Sequence, residues 1–511
     1  VALSTASTLG GSGRSRAPRR HAGRSRSVAA GHSSWPSKLA VACWLVTSGC
    51  GGSAPQGVAS GGTDSEEGLE RIALAGGEVP EGLLRERPNL LVITIDTLRA
   101  DHLGAYGYMR PTSPQLDELA AESVLFERAL APVATTLPSH TTMFTGVSPH
   151  EHGVLANIAD GKTYRRRPDL QTLAELFSES GYRTDAVVAA FPLRPEFGLD
   201  AGFDGYSAPE AKALVAKEVT TAALEVMERQ VSLSEPGMLW VHFFDPHGPY
   251  TPPLRVARGF MMDDPTRAYL RERRFAERAQ RPTGQWNELE KGIDGYDGEV
   301  AFVDRQVKRL LSKGTELGWV SDDCVIAVLG DHGEGLNQHG APGHGQLWDE
   351  QLHVPWMIRA PGVAPRRLPE PVTLADFAPT LLHLFDLPGK EALLEQVTGV
   401  DRFAPMVGHA DLRILAQTSP RQSVVDGIGY AIRAGRWKLH RGEDGEVHLF
   451  DLDSDPFELE DVSHRRPEVV DRLSNDLEAE LQRQILGVRT EAASETTAAE
   501  LRALGYGGDD R

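Results

Sequence analysis

The sequence predicts an α/β fold: a mostly parallel central sheet with helices on both faces, followed by a small antiparallel sheet subdomain. Three observations carry this. Apolar, β-branched runs alternate with helical patterns from residue 89 to about 365, the mark of a sheet covered on both sides. Three of those runs stop at a carboxylate, Asp96, Asp245 and Asp331, and ligands in such sheets bind beyond the carboxyl ends of the strands. Past residue 365 the pattern changes to short strand-like runs separated by polar turns.

The chain has 511 residues, three cysteines and a formal charge of −19. Residues 1–49 hold seven Lys/Arg and no Asp/Glu, which leaves −26 on the remainder. So acidic a body argues against a nucleic-acid partner. It also repels anions at long range, so a site for an anionic substrate needs a local positive charge such as a metal ion. Cys43, Cys50 and Cys324 make neither a disulfide framework nor a zinc cluster.

Residues 1–49 read as an export signal: an Arg-rich stretch, a short apolar run from Leu39 to Val46, then small residues before Cys50. The run is too short to span a bilayer. The Val46-Thr-Ser-Gly-Cys50 ending resembles a bacterial lipobox, which implies lipidation of Cys50, a periplasmic or cell-surface location and contact with membrane through the lipid alone. An ordinary secretory signal has similar small residues. Residues 50–87, rich in Gly, Ser and Glu, read as a flexible linker.

Asn89 to Ile95 is a continuous apolar strand ending at Asp96, and Ser113-Pro114 opens a helix. Val124 to Ala131 reads as a strand. Pro138 then sits at a first helical position, with Thr136 just before the helix. A hydroxyl there is either an N-cap or a nucleophile. Further helices are expected over 170–180, 212–231 and 300–317, and strands over 184–191, 237–244 and 324–330. Val372 to Leu387 reads as a helix, 430–451 as the small antiparallel sheet, 467–485 as a last helix and 487–511 as a polar tail. These bounds give a main domain at 88–395 and a subdomain at 396–486. Asp101, His102 and His339 read as residues that structure loops, and Asp297 and Asp304 as the solvated face of a helix.

Asp331-His332 places a carboxylate beside an imidazole after a strand, and both can reach one divalent cation. Asp96, Thr136, Asp331 and His332 together make a four-ligand set. A cation there lowers the pKa of the Thr136 hydroxyl and activates it as a nucleophile.

With these residues in place, 88 to about 460 resembles the sulfatase family of the alkaline phosphatase superfamily. The matching stretches are Asn89–Asp96, Thr136-Leu-Pro-Ser-His140 with Thr145-Gly146, Pro246-His247-Gly-Pro-Tyr250, Gly330–Gly335 with His339-Gly340, Val354-Pro355 to Pro361-Gly362, and Phe450–Pro456. The resemblance implies covalent catalysis on sulfate or phosphate esters at a metal site. Departures from the family pattern are equally specific. Thr136 stands where the family has the Cys or Ser that becomes formylglycine, and Thr cannot be converted to that aldehyde. His140 stands for the signature Arg, Thr97 for a second Asp, and His332 for Asn. The Gly-Lys-Trp-His stretch is absent after Tyr182, and a later family Lys falls near His344.

Each departure favours phosphoester chemistry: in-line attack by Thr136 through a phosphothreonine, with one divalent ion (Zn²⁺, Mn²⁺ or Ca²⁺). The resemblance makes His247 and His344 acid/base or oxyanion contacts, and His140 and Asp245 substrate contacts. Asp245, His247 and His344 are alternatively a second metal site. A sulfuric ester hydrolase lacking formylglycine, a phosphotransferase and a non-catalytic binding protein are the other readings. The anionic substrate itself and the oligomeric state are not legible.

Overall fold

In the computed structural model, eight strands form the central sheet: β1 (Leu90–Ile95), β2 (Val124–Leu130), β3 (Arg183–Val188), β4 (Gly205–Ser207), β5 (Gly237–Phe243), β6 (Val325–Gly330), β7 (His353–Arg359) and β8 (Arg366–Thr373). The structure describes residues 79–500, apart from 85–86, 160–161, 211, 274–285, 341, 405–412, 420–427, 483–489, 493, 496 and 498. The export signal, Cys50 and the Leu501–Tyr506 run lie outside the described residues. Across the sheet the order is β8-β2-β7-β6-β1-β5-β3-β4. All neighbours are parallel except β7, which runs antiparallel to β2 and β6. The alternating pattern therefore gives the expected mostly parallel sheet.

Every residue of β1 and β6 is buried, because helices cover both faces and a continuous apolar run is what such a strand needs. Register then sets the level at which each strand leaves the sheet. Ile95 pairs with Phe243 on one side and Gly330 on the other. Asp96 and Asp331 therefore emerge side by side, but their counterpart on β5 is Phe244. Asp245 lies one residue further on, and successive side chains point to opposite faces. The three carboxylates are not equivalent.

Other expectations shift. The helix expected from Val372 is preceded by the strand β8, parallel to β2 at the sheet edge. Pro369 and Pro371 fit there because an edge strand has one side free of ladder bonds. The helix itself is Phe377–Leu384. The helix expected from Val300 starts earlier and runs Trp286–Leu317. Not all of the 50–87 stretch is linker: Gly82 and Leu84 donate to the carbonyls of His383 and Leu384 at 2.8 and 2.9 Å. No described helix is long and apolar enough to cross a membrane.

The small sheet is four antiparallel strands, 413–417, 430–434, 437–441 and 447–451, followed by the helix Pro467–Leu481. The expected polar tail contributes Thr490–Ala492, which pairs with Lys162–Tyr164.

Asp297 and Asp304 are corrections: both are buried. Asp297 accepts from His102 Nδ1, Tyr108 Oη and Arg110 Nη1, each at 2.7 Å. Asp304 accepts the first amides of the helix Pro114–Ala121, from Gln115 and Leu116. The 3.6-residue pattern does not show their burial because their partners, from His102 to Leu116, lie far away in the chain. His102 does organise that loop, as expected, and Asp101 does so by pairing with Arg99.

Candidate active site

Thr136 opens the helix Thr136–Thr145, so Pro138 is its third residue and not its first. The preceding Thr135 occupies the capping position without a side-chain cap bond. Of the two readings of the Thr136 hydroxyl, the cap is not realised. Thr136 Oγ1 instead faces Asp96 Oδ2 at 3.4 Å, fully buried. The amide of Leu137 is taken up by Asn157 Oδ1 at 2.8 Å, and Ser139 Oγ donates to the carbonyl of Asp331 at 2.6 Å. The helix is thus tied to β6 beside the ends of β1 and β6.

Asp96, Asp331 and His332 form the single group with ligand spacing among the described residues, their ligand atoms all within 4.8 Å of one another. His332 Nδ1 donates to the carbonyl of Gly333 at 3.0 Å, which leaves Nε2 as a bare lone pair. Nε2 lies 3.8 Å from Asp96 Oδ1 and 3.7 Å from Asp331 Oδ2. These three atoms are buried and make no hydrogen bond. Burial without a partner is costly for polar atoms, and three converging ones fit a divalent cation, with Zn²⁺ or Mn²⁺ suited to the oxygen and nitrogen donors. Thr97 supports the arrangement with a left-handed backbone (φ 54), unusual for a β-branched residue. Its amide donates to Asp331 Oδ1 at 3.1 Å.

Burial pushes the Asp96 carboxyl up to about 8, against the opposing pull of His344. Burial and the neighbouring Asp96 push Asp331 well up too. Burial holds His332 well below its ordinary value, so the ring is neutral as a ligand must be.

His140 does not face a substrate space. Its Nδ1 donates to the carbonyl of Thr136 at 2.8 Å and its Nε2 meets Thr94 Oγ1 at 3.1 Å. Burial keeps this ring neutral, so Nε2 accepts the Thr94 proton. Thr94 Oγ1 then accepts from Trp240 Nε1 at 2.9 Å and from His242 Nδ1 at 3.1 Å. His242 Nε2 is left as a lone pair 3.5 Å from Asp96 Oδ2.

Asp245 is a second correction. Its Oδ1 accepts from the amide of Ala216 at 3.0 Å, at the start of the helix Ala216–Val231. It therefore caps a helix, and it makes no ligand group with His247 and His344. Burial raises it to about 6. His247 and His344 do reach the site. Their ring centroids are 5.1 Å apart, and His344 lies 4.5 Å from His332. Burial holds His247 down to about 4. Burial opposes the charge on His344 too, but Glu334, with Nδ1···Oε1 at 3.6 Å, outweighs it and raises its pKa. One imidazole is thus neutral and the other suited to carry a proton.

Sequence reasoning missed Thr94, His242 and Glu334. Thr94 and His242 sit inside strand patterns that looked purely apolar. Glu334 stands in the Asp-His-Gly-Glu run and was visible there.

Comparison with known proteins agrees with this geometry. The Sulfatase family profile matches residues 88–387. The chain is 24% identical over 424 residues to Delta 4,5-hexuronate-2-O-sulfatase of Bacteroides thetaiotaomicron, covering 74% of this chain and 85% of that protein. It is 23% identical over 468 residues to the arylsulfatase of Clostridium perfringens, covering 78% and 95%. The crystal structure of the phosphonate monoester hydrolase of Agrobacterium radiobacter superposes with a TM-score of 0.60 at 22% identity, covering 80% and 97%. The fold, the family and the buried carboxylate–histidine centre agree, and the protein belongs to the sulfatase family, as a hydrolase acting on sulfuric or phosphoric ester bonds.

Proposed function

We propose that the protein hydrolyses an anionic ester beside Asp96, Thr136, Asp331 and His332, with a divalent cation held there, and that sulfuric esters are the first substrate class to assign to it. The observation that carries this is the convergence of three buried ligand atoms without hydrogen bonds next to the Thr136 hydroxyl. The names of its relatives, a hexuronate sulfatase and an arylsulfatase, support the sulfuric ester.

A bound cation supplies positive charge against the non-bridging oxygens of the ester and favours the ionised hydroxyl. The side chains do the rest. Asp96 takes up the Thr136 proton or orients the hydroxyl, and His344, protonated, donates to the departing ester oxygen. His247, neutral, accepts or donates a hydrogen bond at an ester oxygen.

Thr136 favours a second reading, phosphoester hydrolysis. Its oxygen attacks phosphorus and the ester oxygen leaves with a proton from His344. Water then cleaves the phosphothreonine, releasing phosphate from a monoester or a phosphate monoester from a diester, and restores Thr136. Transfer to another acceptor differs only in that last step.

Aryl sulfate and aryl phosphate mono- and diesters, supplied to wild type and Thr136→Ala after chelation and cation add-back, separate the readings. Cation-dependent sulfate release supports the first. Phosphoester cleavage alone, lost in the variant, supports the second. Silence on every substrate with cation bound argues for a binding role. Export and lipidation at Cys50 belong to the same proposal. Membrane fractionation of the wild type and Cys50→Ala tests them.

A further inference from the structure

Lys438 and Glu458 belong to the C-terminal part of the chain, yet both are buried against the loop that follows Asp331 and His332. Lys438 Nζ donates to the carbonyl of Leu347 at 2.7 Å and to Asp349 Oδ1 at 2.5 Å, and pairs with Glu458 Oε1 at 2.7 Å. Glu458 Oε2 accepts from the amide of Asp349 at 2.7 Å, the first residue of the short helix Asp349–Leu352. The carbonyl of Glu458 meets His339 Nε2 at 3.3 Å, and His339 Nδ1 meets Glu350 Oε1 at 2.7 Å. His339 also stacks on Trp348, ring centroids 3.9 Å apart. Glu458 holds a left-handed backbone, φ 54, which a side chain of its kind keeps only where the surroundings fix it.

The gripped segment in turn holds the site. Gly333 N donates to the carbonyl of Gln351 at 2.7 Å and Glu334 N to that of Glu350 at 3.1 Å. These are the residues immediately after His332. A Cβ at Gly333 would come within 2.2 Å of the Glu350 oxygen, so the two strands of the loop touch with no slack. An unbroken chain of bonds runs from the small sheet to the ligand pair.

We infer that Lys438 and Glu458 are positioning residues: they fix residues 347–352, which fix 333–334, and so set Asp331 and His332 against Asp96. The inference rests on reading those three residues as the cation site. A buried ammonium between two carboxylates is poor evidence of stabilisation by itself. Here it is attached to backbone atoms of the segment that supports the ligands, and supporting partners of metal ligands tune affinity by roughly 10- to 100-fold.

The test uses the full chain as wild type, Lys438→Met, Glu458→Gln and His339→Phe. Hydrogen exchange followed by mass spectrometry reads the peptide covering 331–338, and calorimetry on chelator-stripped protein reads Zn²⁺ and Mn²⁺ affinity. The expected result is at least tenfold faster exchange in that peptide, unchanged exchange in Leu90–Ile95, and cation affinity weakened about tenfold or more. A lowered melting temperature with that peptide's exchange and the cation affinity within twofold of wild type would overturn the inference, because a merely structural pair produces that pattern. His339→Phe keeps the stacking on Trp348 and decides the matter if the other two variants do not fold. If the wild type takes up no cation, the proposed function fails, and exchange in 331–338 still reads the coupling.

Discussion

His140 Nδ1 donates to the carbonyl oxygen of Thr136 at 2.8 Å, one turn back along the same helix. The imidazole uses both nitrogens inside the protein, with Nε2 meeting Thr94 Oγ1 at 3.1 Å. Thr136 is thereby held at a helix start with its hydroxyl turned to Asp96 at 3.4 Å.

Thr136→Ala is expected to lower kcat on the natural ester class by on the order of 10⁴-fold or more, as removal of a nucleophile does, with little change in melting temperature. Thr136→Ser is expected to keep part of the activity. Steady-state kinetics beside a thermal melt check both. A kcat within tenfold of wild type for the alanine variant would remove Thr136 from the chemistry.

Cation binding is expected to be pH-dependent. Burial raises Asp96 to about 8 in the cation-free protein, so at neutral pH it holds a proton that must leave when a cation binds. Affinity therefore rises with pH over the range in which Asp96 and Asp331 give up their protons. Calorimetry in buffers of different ionisation enthalpy should detect more proton release at pH 7 than at pH 9. The same shift has a sign for folding: a carboxyl raised on folding destabilises the cation-free fold progressively from its unfolded value, roughly 3.9, up to its folded one.

In the proposed reaction His344 acts as the acid of the pair. Its pKa lies above the ordinary histidine value while that of His247 lies below it. A group that must be protonated to act loses effect as pH rises through its pKa. His344→Gln is expected to lower kcat by about 100-fold and to abolish the alkaline fall of the kcat profile. Survival of that limb in the variant would assign the acid elsewhere.

Asp297→Asn is expected to cost about 1.5–3 kcal/mol of stability, because it removes one of the two carboxylates that pair with Arg110 and leaves Asp294. Chemical denaturation measures it. A loss below 1 kcal/mol would mean that the His102, Tyr108 and Arg110 contacts to Asp297 contribute little.

Much of the fold was legible because burial on both faces imposes a local pattern: β1, β5 and β6 are continuous apolar runs, and the ends of two of them carry Asp96 and Asp331. Edge strand β8 has no counterpart in the sequence reading, which starts a helix at Val372, since Pro369 and Pro371 interrupt any strand signal.

The sequence by itself determined the family, the alternation of strand and helix, and the residue types at the candidate site: Asp96, Thr136, Asp331 and His332. Tertiary structure alone decided which of the remaining polar residues face that centre. One residue of register sends Asp245 to a helix cap while Asp96 and Asp331 meet. Thr94 and His242 reach the centre from inside strands, and Asp297 turns inward from a helix that looked solvated on one face. These are contacts between residues tens to hundreds of positions apart. Local periodicity records only that a side chain leaves the backbone on a given face, and what waits on that face is set by packing.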